Sequence, residues 1–570
     1  MIAIVAVLFV LVATFVLGST GRRYARTTSN FFVASRAVDP RWNAFAVCGE
    51  SMSAASYLGV PALIVVFGVD MLWTMVGWTL GFLLLSMFIA APVRRWGSYT
   101  IPEFIEGRLE SPRLRPVVAV MVIVSSWFFL LAQLKGAGVV TRNLIGTPYW
   151  VGVVAVGLLV AANLSAGGMR GITFVQGFQF FFIISGILIP FAAISTIWLP
   201  DDDRPPIITD DVPVFREELD VEYPRALTIV VSAVTVVEVA GVVDGVEIDG
   251  ATTLTPGEHD IAAGTSLTWP EGAPVAPAAG VDLLTGDVWG APLGNKSLGG
   301  GHPAYFSYAT VLANMFGIIA LPHIVVRFYT NPTGREARRT SLWVLCMMAP
   351  YYMMLPLIAA SARTAAPDLL STANTDATTV TAPGRLFDGL GGEVLTAIVS
   401  AGAAAAFLST ASGLLIAMAG ALSHDIRSAG IPEFRRSVWV GAVVSVSAAL
   451  FVETININVL IGWSTAIAAS SIGPLLVLGI WWPGFTRRGA MATAIFGGAT
   501  TTLAVVVTWT GSVSGWAEAV FSTPAAWSVP FAFIVGIVVS LRDPDKVPDI
   551  GHKMALLHLP DRNRVAQDPT

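Results

Sequence analysis

An all-α membrane protein of about thirteen transmembrane helices, interrupted by one polar insertion, is the fold class this sequence predicts. Three observations carry it. Of 570 residues, 54% are hydrophobic and 12% charged, where a soluble domain is about 25% charged. Apolar runs of bilayer length, about 20 residues, recur along the chain. Basic residues, finally, divide very unevenly between alternate loops.

The runs lie near 2–18, 43–66, 71–92, 117–140, 149–167, 172–199, 305–327, 341–361, 393–422, 437–454, 457–482, 489–510 and 527–541. The first follows the initiator Met directly, without a basic stretch or a small-x-small cleavage site, and reads as a retained span. Several runs contain Gly, Ser or Pro, which a helical bundle uses for close approach or for broken backbone lining a cavity. With the N-terminus outside and the spans alternating, 25 of the 33 Lys and Arg residues fall inside and 7 outside, Lys135 lying within a span. A missed span would scramble that partition. The expectation is a multi-pass cell-membrane protein, N-terminus outside and C-terminus cytoplasmic.

The segment 200–304 is acidic, with Asp201-Asp202-Asp203, Asp210-Asp211 and Glu217-Glu218. Its middle, Ala226 to Leu267, is rich in Val and Thr, with turn signals at Asp244-Gly245 and Asp249-Gly250. That pattern predicts a few β-strands in a small extracytoplasmic domain; a loosely folded decoration is the alternative. The tail after 541 is polar and reads as disordered. Cys48 and Cys346 sit in apolar stretches and read as packed thiols.

No catalytic signature is present: the six His residues include no His-Glu-x-x-His, and there is neither a Cys-x-x-Cys nor a phosphate-binding Gly-x-x-x-x-Gly-Lys-Ser/Thr loop. The reading is therefore not an enzyme and not an ATP-driven pump, but a protein working on an ion gradient. Two spans suit a hard cation. Ala46–Ser56 has a small, polar centre containing Gly49, Glu50, Ser51, Met52 and Ser53, where a helix can unwind and free carbonyl oxygens. Ala403–Ser412 carries Ser409 and Thr410, whose hydroxyls suit the same shell. Small-residue stretches also simply pack helices, and Ser or Thr also bond back to their own helix. Glu50 within a span is costly to bury charged and reads as a coupling or gating acid, or as one facing an aqueous vestibule with a partner. Lys135 reads as snorkelling to the interface, with attraction of an anionic substrate as the alternative. Glu453, Asn456 and Asn458 read as an outside turn.

Ser51-Met52-Ser53-Ala54-Ala55-Ser56-Tyr57-Leu58-Gly59 resembles the first core helix of the sodium:solute symporters. Phe316 to Ile324, with Pro322-His323, followed by Arg327-Phe328-Tyr329-Thr330, resembles that family's Gly-x-x-x-x-Pro-His-x-x-x-Arg-Phe segment. Arg335-Glu336-Ala337-Arg338, Gly413-Leu414-Leu415-Ile416-Ala417 and Ser423-His424-Asp425 are similar to the acetate and monocarboxylate permeases within it. Gly167-Gly168-Met169 and Gln176 fit the same pattern, and the resemblance runs through nearly all the spans.

The resemblance implies a LeuT-like core of two inverted five-helix repeats. The divisions would be 1–42 (first peripheral helix and loop), 43–199 (first repeat), 200–304 (insertion), 305–482 (second repeat), 483–541 (two peripheral helices) and 542–570 (tail). It places Na⁺, the coupling ion and the only accessory expected, on the carbonyls of Gly49, Met52 and Ala406 and the hydroxyls of Ser409 and Thr410. Ser51 stands where the proline-transporting members carry a carboxylate. Ser53, Gln133, Asn314 and Gly317, with Ser51, are the implied solute-binding residues. Arg36 matches an arginine before the core helix and, with Glu50, is assigned to coupling or gating. His323 and Arg327 read as structural. The expected activity is Na⁺-coupled uptake of acetate, propionate, pyruvate or a similar monocarboxylate, with the lipid bilayer as setting and no nucleic-acid partner. A symporter for another solute such as proline, and a solute receptor on the same fold, are the alternatives.

Overall fold

A computed structural model describes residues 1–20, 34–197, 211–427, 430–511 and 513–560. Arg22, Arg23 and Arg26, the acidic Asp201-Asp202-Asp203 and Asp210, and residues 561–570 lie outside them. Eleven described helical stretches are long and apolar enough to cross a membrane. The count differs from the sequence expectation at two places. Ala55–Trp96 runs as one 42-residue stretch. At 1.5 Å per residue it is about 63 Å long, room for two crossings, and it turns at Gly68, where φ is 76°. Ile431–Ala449 is the other: Glu433, Arg435 and Arg436 open it and dilute its apolar character.

Local signals explain where the helices start. Asp39 caps Pro40–Ser51, its carboxylate accepting from the Arg41 and Trp42 amides, with Pro40 at the first helical position. Thr100 caps Ile101–Leu109 and Thr333 caps Gly334–Ala365, each accepting from the amide of a glutamate three residues on.

Two helices form the spine. Gly389–Gly420 is buried without interruption from Val399 to Ile416, and Ile457–Trp481 from Trp463 to Leu476. Their Ala, Ser and Gly content is the reason, because small side chains let neighbouring backbones approach. Ile2–Thr20 is the opposite case: Leu8, Phe9, Val12, Phe15 and Val16 are exposed, an apolar surface suited to lipid.

The insertion is a small β half-barrel. Its strands are β1 (Leu219–Tyr223), β2 (Leu227–Val231), β3 (Thr235–Val243), β4 (Val246–Leu254), β5 (Gly257–Ile261) and β6 (Thr265–Trp269). They pair antiparallel in the order β1-β6-β3-β5-β2, with β4 also on β3. Asp244-Gly245 makes the two-residue turn between β3 and β4, both at positive φ. Asp249-Gly250, expected to be a turn, lies inside β4 instead. The insertion is anchored to the helices. The Trp289 indole donates to the carbonyls of Ile64 (2.7 Å) and Val65 (3.1 Å), and Asp70 accepts from the Leu293 amide.

Three further expectations are corrected. The tail is not wholly disordered: Ile550–His558 is a helix, held by Lys553 on Glu110 (2.5 Å) and by buried Leu557. Lys135 does not snorkel; it is buried and pairs with Asp376 at 2.7 Å. A buried carboxylate of opposite charge removes the reason to reach for water. Cys346 is exposed, whereas Cys48 is buried as expected.

Candidate functional site

The second span breaks where its small, polar centre predicts. The helix Pro40–Ser51 stops at Met52 (ψ 66°), and helical structure resumes at Ala54. The restart is held by side chains. Gln133 Oε1 accepts from the Ala54 amide (2.9 Å) and Ser53 Oγ from the Ala55 amide (3.2 Å). The last carbonyls of the first piece lose their intrahelical partners.

The helix Gly389–Gly420 covers this break with one stripe of its surface. A Cβ on Gly402 would lie 2.3 Å from the Tyr57 hydroxyl, past the break, and one on Gly413 would lie 1.4 Å from Glu50 Oε1, before it. Residues 402, 406, 409/410 and 413 fall on one helical face, so Ala406, Ser409 and Thr410 lie along the same stripe. Thr410 Oγ1 donates to the Glu50 carbonyl at 2.6 Å. Ser409 Oγ is buried and has no hydrogen-bond partner among the described residues. Gly49 backs the break from the other side: its missing Cβ leaves room for the Gln176 carbonyl, 2.7 Å from where that atom would stand. Gln176 in turn donates to the Ser409 carbonyl at 2.8 Å. The result is a dry cluster of carbonyl and hydroxyl oxygens, the donor set of a hard monovalent cation. Among the described residues no cluster of His, Cys, Asp and Glu could hold a transition metal.

Beside this cluster lies a fully buried ion pair. Arg327 Nε meets Glu50 Oε2 at 2.6 Å, neither side chain exposed. Arg327 also bonds Thr173 (3.1 Å) and Gln176. Glu50 is therefore not an acid in a vestibule but half of a desolvated pair. Arg327 is its counterion.

The span containing Pro303–Ala320 breaks as well, at Leu321 (ψ 116°), before Pro322 starts a new turn. Between the two breaks is a small cavity of about 20 Å³, lined by Ser51, Ser53, Trp78, Phe129, His323 and Tyr352 among others. A cavity of about 330 Å³ adjoins it toward the insertion and shares Trp78, Ile461 and Thr465 as a common wall. Asn314 lines this larger space. Gly317 lines neither cavity; it admits Thr465, whose Cβ comes within 3.0 Å of where a Gly317 Cβ would stand. Gln133 likewise lines neither and holds the helix restart.

At the end away from the insertion lies a separate small cavity of about 30 Å³, lined by Tyr99, Thr100, Met169 and Asp425 among others. Asp425 accepts there from Thr100 and from Arg115, both at 2.9 Å. Arg36 bonds the Gly97 carbonyl and sits 5.7 Å over the Tyr99 ring, pinning the loop that leads into Thr100. Sequence reasoning did not pair Arg115 with Asp425. The acid stands in a quoted motif, but its partner is 310 residues away and no local spacing connects them.

With this geometry in view, three kinds of likeness converge. The model of the sodium:solute symporter family matches residues 31–197 and 292–497, well over half of the chain and leaving the insertion between. The chain is 27% identical over 547 residues to the uncharacterized symporter YwcA of Bacillus subtilis, covering 92% of this chain and 91% of that one. It is 27% identical over 582 residues to a monocarboxylic acid transporter of Corynebacterium glutamicum, covering 97% and 94%. The fold matches a Na⁺-coupled sialic acid symporter solved substrate-bound and outward-open, with TM-score 0.61 at 13% identity over 96% and 98% of the two chains. It also matches Mhp1, a nucleobase-cation-symport transporter, with TM-score 0.52 at 13% identity over 93% and 99%. A LeuT-like helical core with two broken spans and a long family match leads to one statement: this chain belongs to the sodium:solute symporter family.

Proposed function

We propose that this chain carries a small monocarboxylate, of the size of acetate, propionate or pyruvate, inward with Na⁺. Na⁺-coupled solute symport follows from the family; the solute is the further step. The observation that carries it is the cavity between the two helix breaks. It offers only about 20 Å³, little more than a water-sized probe needs, which favours a very small solute. Its lining combines Trp78, Phe129 and Tyr352 with the hydroxyls of Ser51, Ser53 and Thr465, matching a short alkyl group joined to a carboxylate. The distant relative named a monocarboxylic acid transporter supports the same class.

Na⁺ is assigned to the carbonyls of Gly49, Met52 and Ala406 and the hydroxyls of Ser409 and Thr410. The buried, unpartnered Ser409 hydroxyl supports that choice, because a buried polar oxygen is costly unless something satisfies it. Ser51 and Ser53 are assigned to the solute. Asn314 belongs to the vestibule, and Gln133 and Gly317 are assigned to shaping the site. Arg36 is assigned to the gate at the narrow end, and Glu50, with Arg327, to the support of the cation cluster. The two repeats take the boundaries 43–199 and 305–482. The uneven basic residues put the insertion outside and the narrow end in the cytoplasm.

One Na⁺ moving with a monoanion carries no net charge, so the sodium concentration gradient then does the work. A second Na⁺ adds about 2.3 kcal/mol per 100 mV of membrane potential. Uptake of labelled acetate, propionate and pyruvate into proteoliposomes, with and without an inward Na⁺ gradient, tests the reading. Sodium-dependent accumulation is expected, with half-saturating Na⁺ raised at least tenfold in Ser409→Ala/Thr410→Ala. Accumulation driven equally by a proton gradient, and indifferent to the mutations, would overturn the ion assignment. Accumulation of proline but of none of the three acids would overturn the solute, and binding without accumulation would make the chain a receptor.

A further inference from the structure

The small cavity between the two breaks is lined by a polar side chain that nothing so far has used. His323 follows Pro322 directly after the second break and is 1% exposed. Neither ring nitrogen has a hydrogen-bond partner among the described residues, and the Ser51 hydroxyl, which lines the same cavity, is in the same condition. The ring is held by packing alone, edge against the Phe129 ring with centroids 5.2 Å apart. An imidazole carries at least one N–H donor in either charge state. Its neighbours on the cavity wall are Trp78, Phe129, Tyr352 and several aliphatic side chains, and no Lys or Arg lines the space among the described residues. A carboxylate entering this cavity meets only neutral donors from the wall.

We propose that His323 is a binding and specificity residue for the solute, donating a ring N–H to its carboxylate, with Ser51 as second donor and the Phe129–Trp78–Tyr352 wall receiving the alkyl group. The inference rests on the monocarboxylate reading and gives it an address. It also accounts for coupling. Ser51 is adjacent in the chain to Met52, whose carbonyl is assigned to Na⁺, so the anionic end of the solute lies within one turn of backbone from the cation. Neutral donors hold the carboxylate weakly alone and well when Na⁺ supplies the missing positive charge. Selectivity follows too, because an amine or a sugar offers His323 no carboxylate and finds the far wall apolar.

The test compares wild type, His323→Leu and His323→Gln in proteoliposomes, reading KM and Vmax for acetate and propionate. Loss of one hydrogen bond to a charged group is expected to raise KM roughly 10- to 100-fold in the Leu variant, with Vmax changed far less. The Gln variant, which keeps an N–H donor, recovers most of that loss. Thermal stabilisation of the purified protein by NaCl alone is expected to survive in both. Wild-type KM in His323→Leu would overturn the inference, as would a raised KM that Gln does not restore together with a lost NaCl effect, which marks a merely structural ring. Should the Leu variant not fold, wild-type protein carrying ¹⁵N-histidine decides. Acetate added with Na⁺ is expected to shift one buried imidazole signal among the six histidines, and no shift overturns the proposal. Wild type that accumulates no monocarboxylate at all would sink the parent reading; normal wild-type uptake with an indifferent His323→Leu would sink this inference alone.

Discussion

The two ends of the helix bundle close in different ways. Toward the insertion the cavity is about 330 Å³, and its lining holds Thr, Asn and apolar side chains but no charge among the described residues. At the other end about 30 Å³ remains, and polar ties cross the gap. Asp425 binds Thr100 and Arg115, Arg115 also binds Glu106 (3.0 Å) and the His424 carbonyl (3.2 Å), and Arg36 pins Gly97. Elements distant in sequence, 97–115 and 424–425, are laced together there. Ion pairs at the insertion end, such as Lys135–Asp376, stand beside the cavity rather than across it. The difference teaches that this conformation is shut by hydrogen bonds at one end and screened at the other only by a wall of Trp78, Ile461 and Thr465. Under the proposed uptake by alternating access, the laced end would exchange its ties for water while the uncharged end collapses, a change apolar surfaces make without leaving a charge stranded.

The largest effect is expected where the two ends share a support, at Glu50–Arg327. Removing one member of a fully buried pair leaves an uncompensated charge and costs about 3–5 kcal/mol. Arg327→Ala is therefore expected to lose most of its folded yield, and thermal unfolding in detergent to fall steeply. Replacing both residues by Met should recover stability but not Na⁺ affinity, if the carboxylate supports the cation cluster as proposed. Recovery of both would show that the pair is filler. Gly413→Ala approaches the same damage from the other side, because its methyl would overlap Glu50 Oε1; a stable variant with wild-type sodium dependence would contradict the packing described.

A smaller effect tests the laced end directly. Asp425→Asn keeps the shape but weakens the Arg115 tie, a charge-assisted bond of about 1.5–3 kcal/mol. Ala417 lines the narrow cavity, so Ala417→Cys in a Cys346→Ser background reports its opening. Thiol modification there is expected to run roughly tenfold faster with Asp425→Asn than without. A probe at Thr74→Cys, in the large cavity, should slow or stay unchanged. Equal acceleration at both positions would mean general loosening and would remove the contrast between the ends.

The sequence made one side of this comparison more legible than the other. The spans, the small centre of Ala46–Ser56 and the hydroxyls of Ser409 and Thr410 are local patterns, and the structure joins them at one break. Its partners were readable only as residue types. Gln133, expected near the solute, also accepts from the Ala54 amide at the break, a partner 79 residues away that no local pattern announces. Glu50 and Arg327 were both noticed, but their pairing spans 277 residues and no periodicity encodes it. Lys135 was misread for the same reason: Asp376 lies 241 residues away. His323 followed the opposite course. The motif containing it drew attention, while its meaning depends on what surrounds the ring, which only packing supplies. Strands of the insertion were legible from Val and Thr richness and the Asp244-Gly245 turn signal, yet the tail helix was not, since it is held by Glu110 and Arg95 at distant positions.

The smallest expected effect lies in the insertion, as far from the laced end as the chain allows. His259 Nδ1 meets Asp244 at 2.7 Å. Burial opposes the charge on His259, but the Thr255 carbonyl and the Asp244 carboxylate outweigh it and hold the ring above its usual range. Burial likewise pushes Asp244 up, and the bonds from His259 and the Asp260 amide overcome it, so its carboxyl lies below its usual range. The signs then fix the window. The histidine contribution is fully present below its unfolded value of about 6.5 and is lost as pH rises through the elevated folded value. The aspartate contribution is present above about 3.9 and is lost as pH falls through the depressed one. The pair therefore stabilises the β3–β5 edge most between about pH 4 and 6.5, by less than about 1 kcal/mol because Asp244 is half exposed. Amide exchange across Thr255–Asp260 is expected to quicken in His259→Ala at pH 5.5 and to match wild type at pH 9. Uptake and its sodium dependence should not change at either pH. If they followed His259, the insertion would be coupled to the gate through its Trp289 anchor, and the uncharged end would be under control after all.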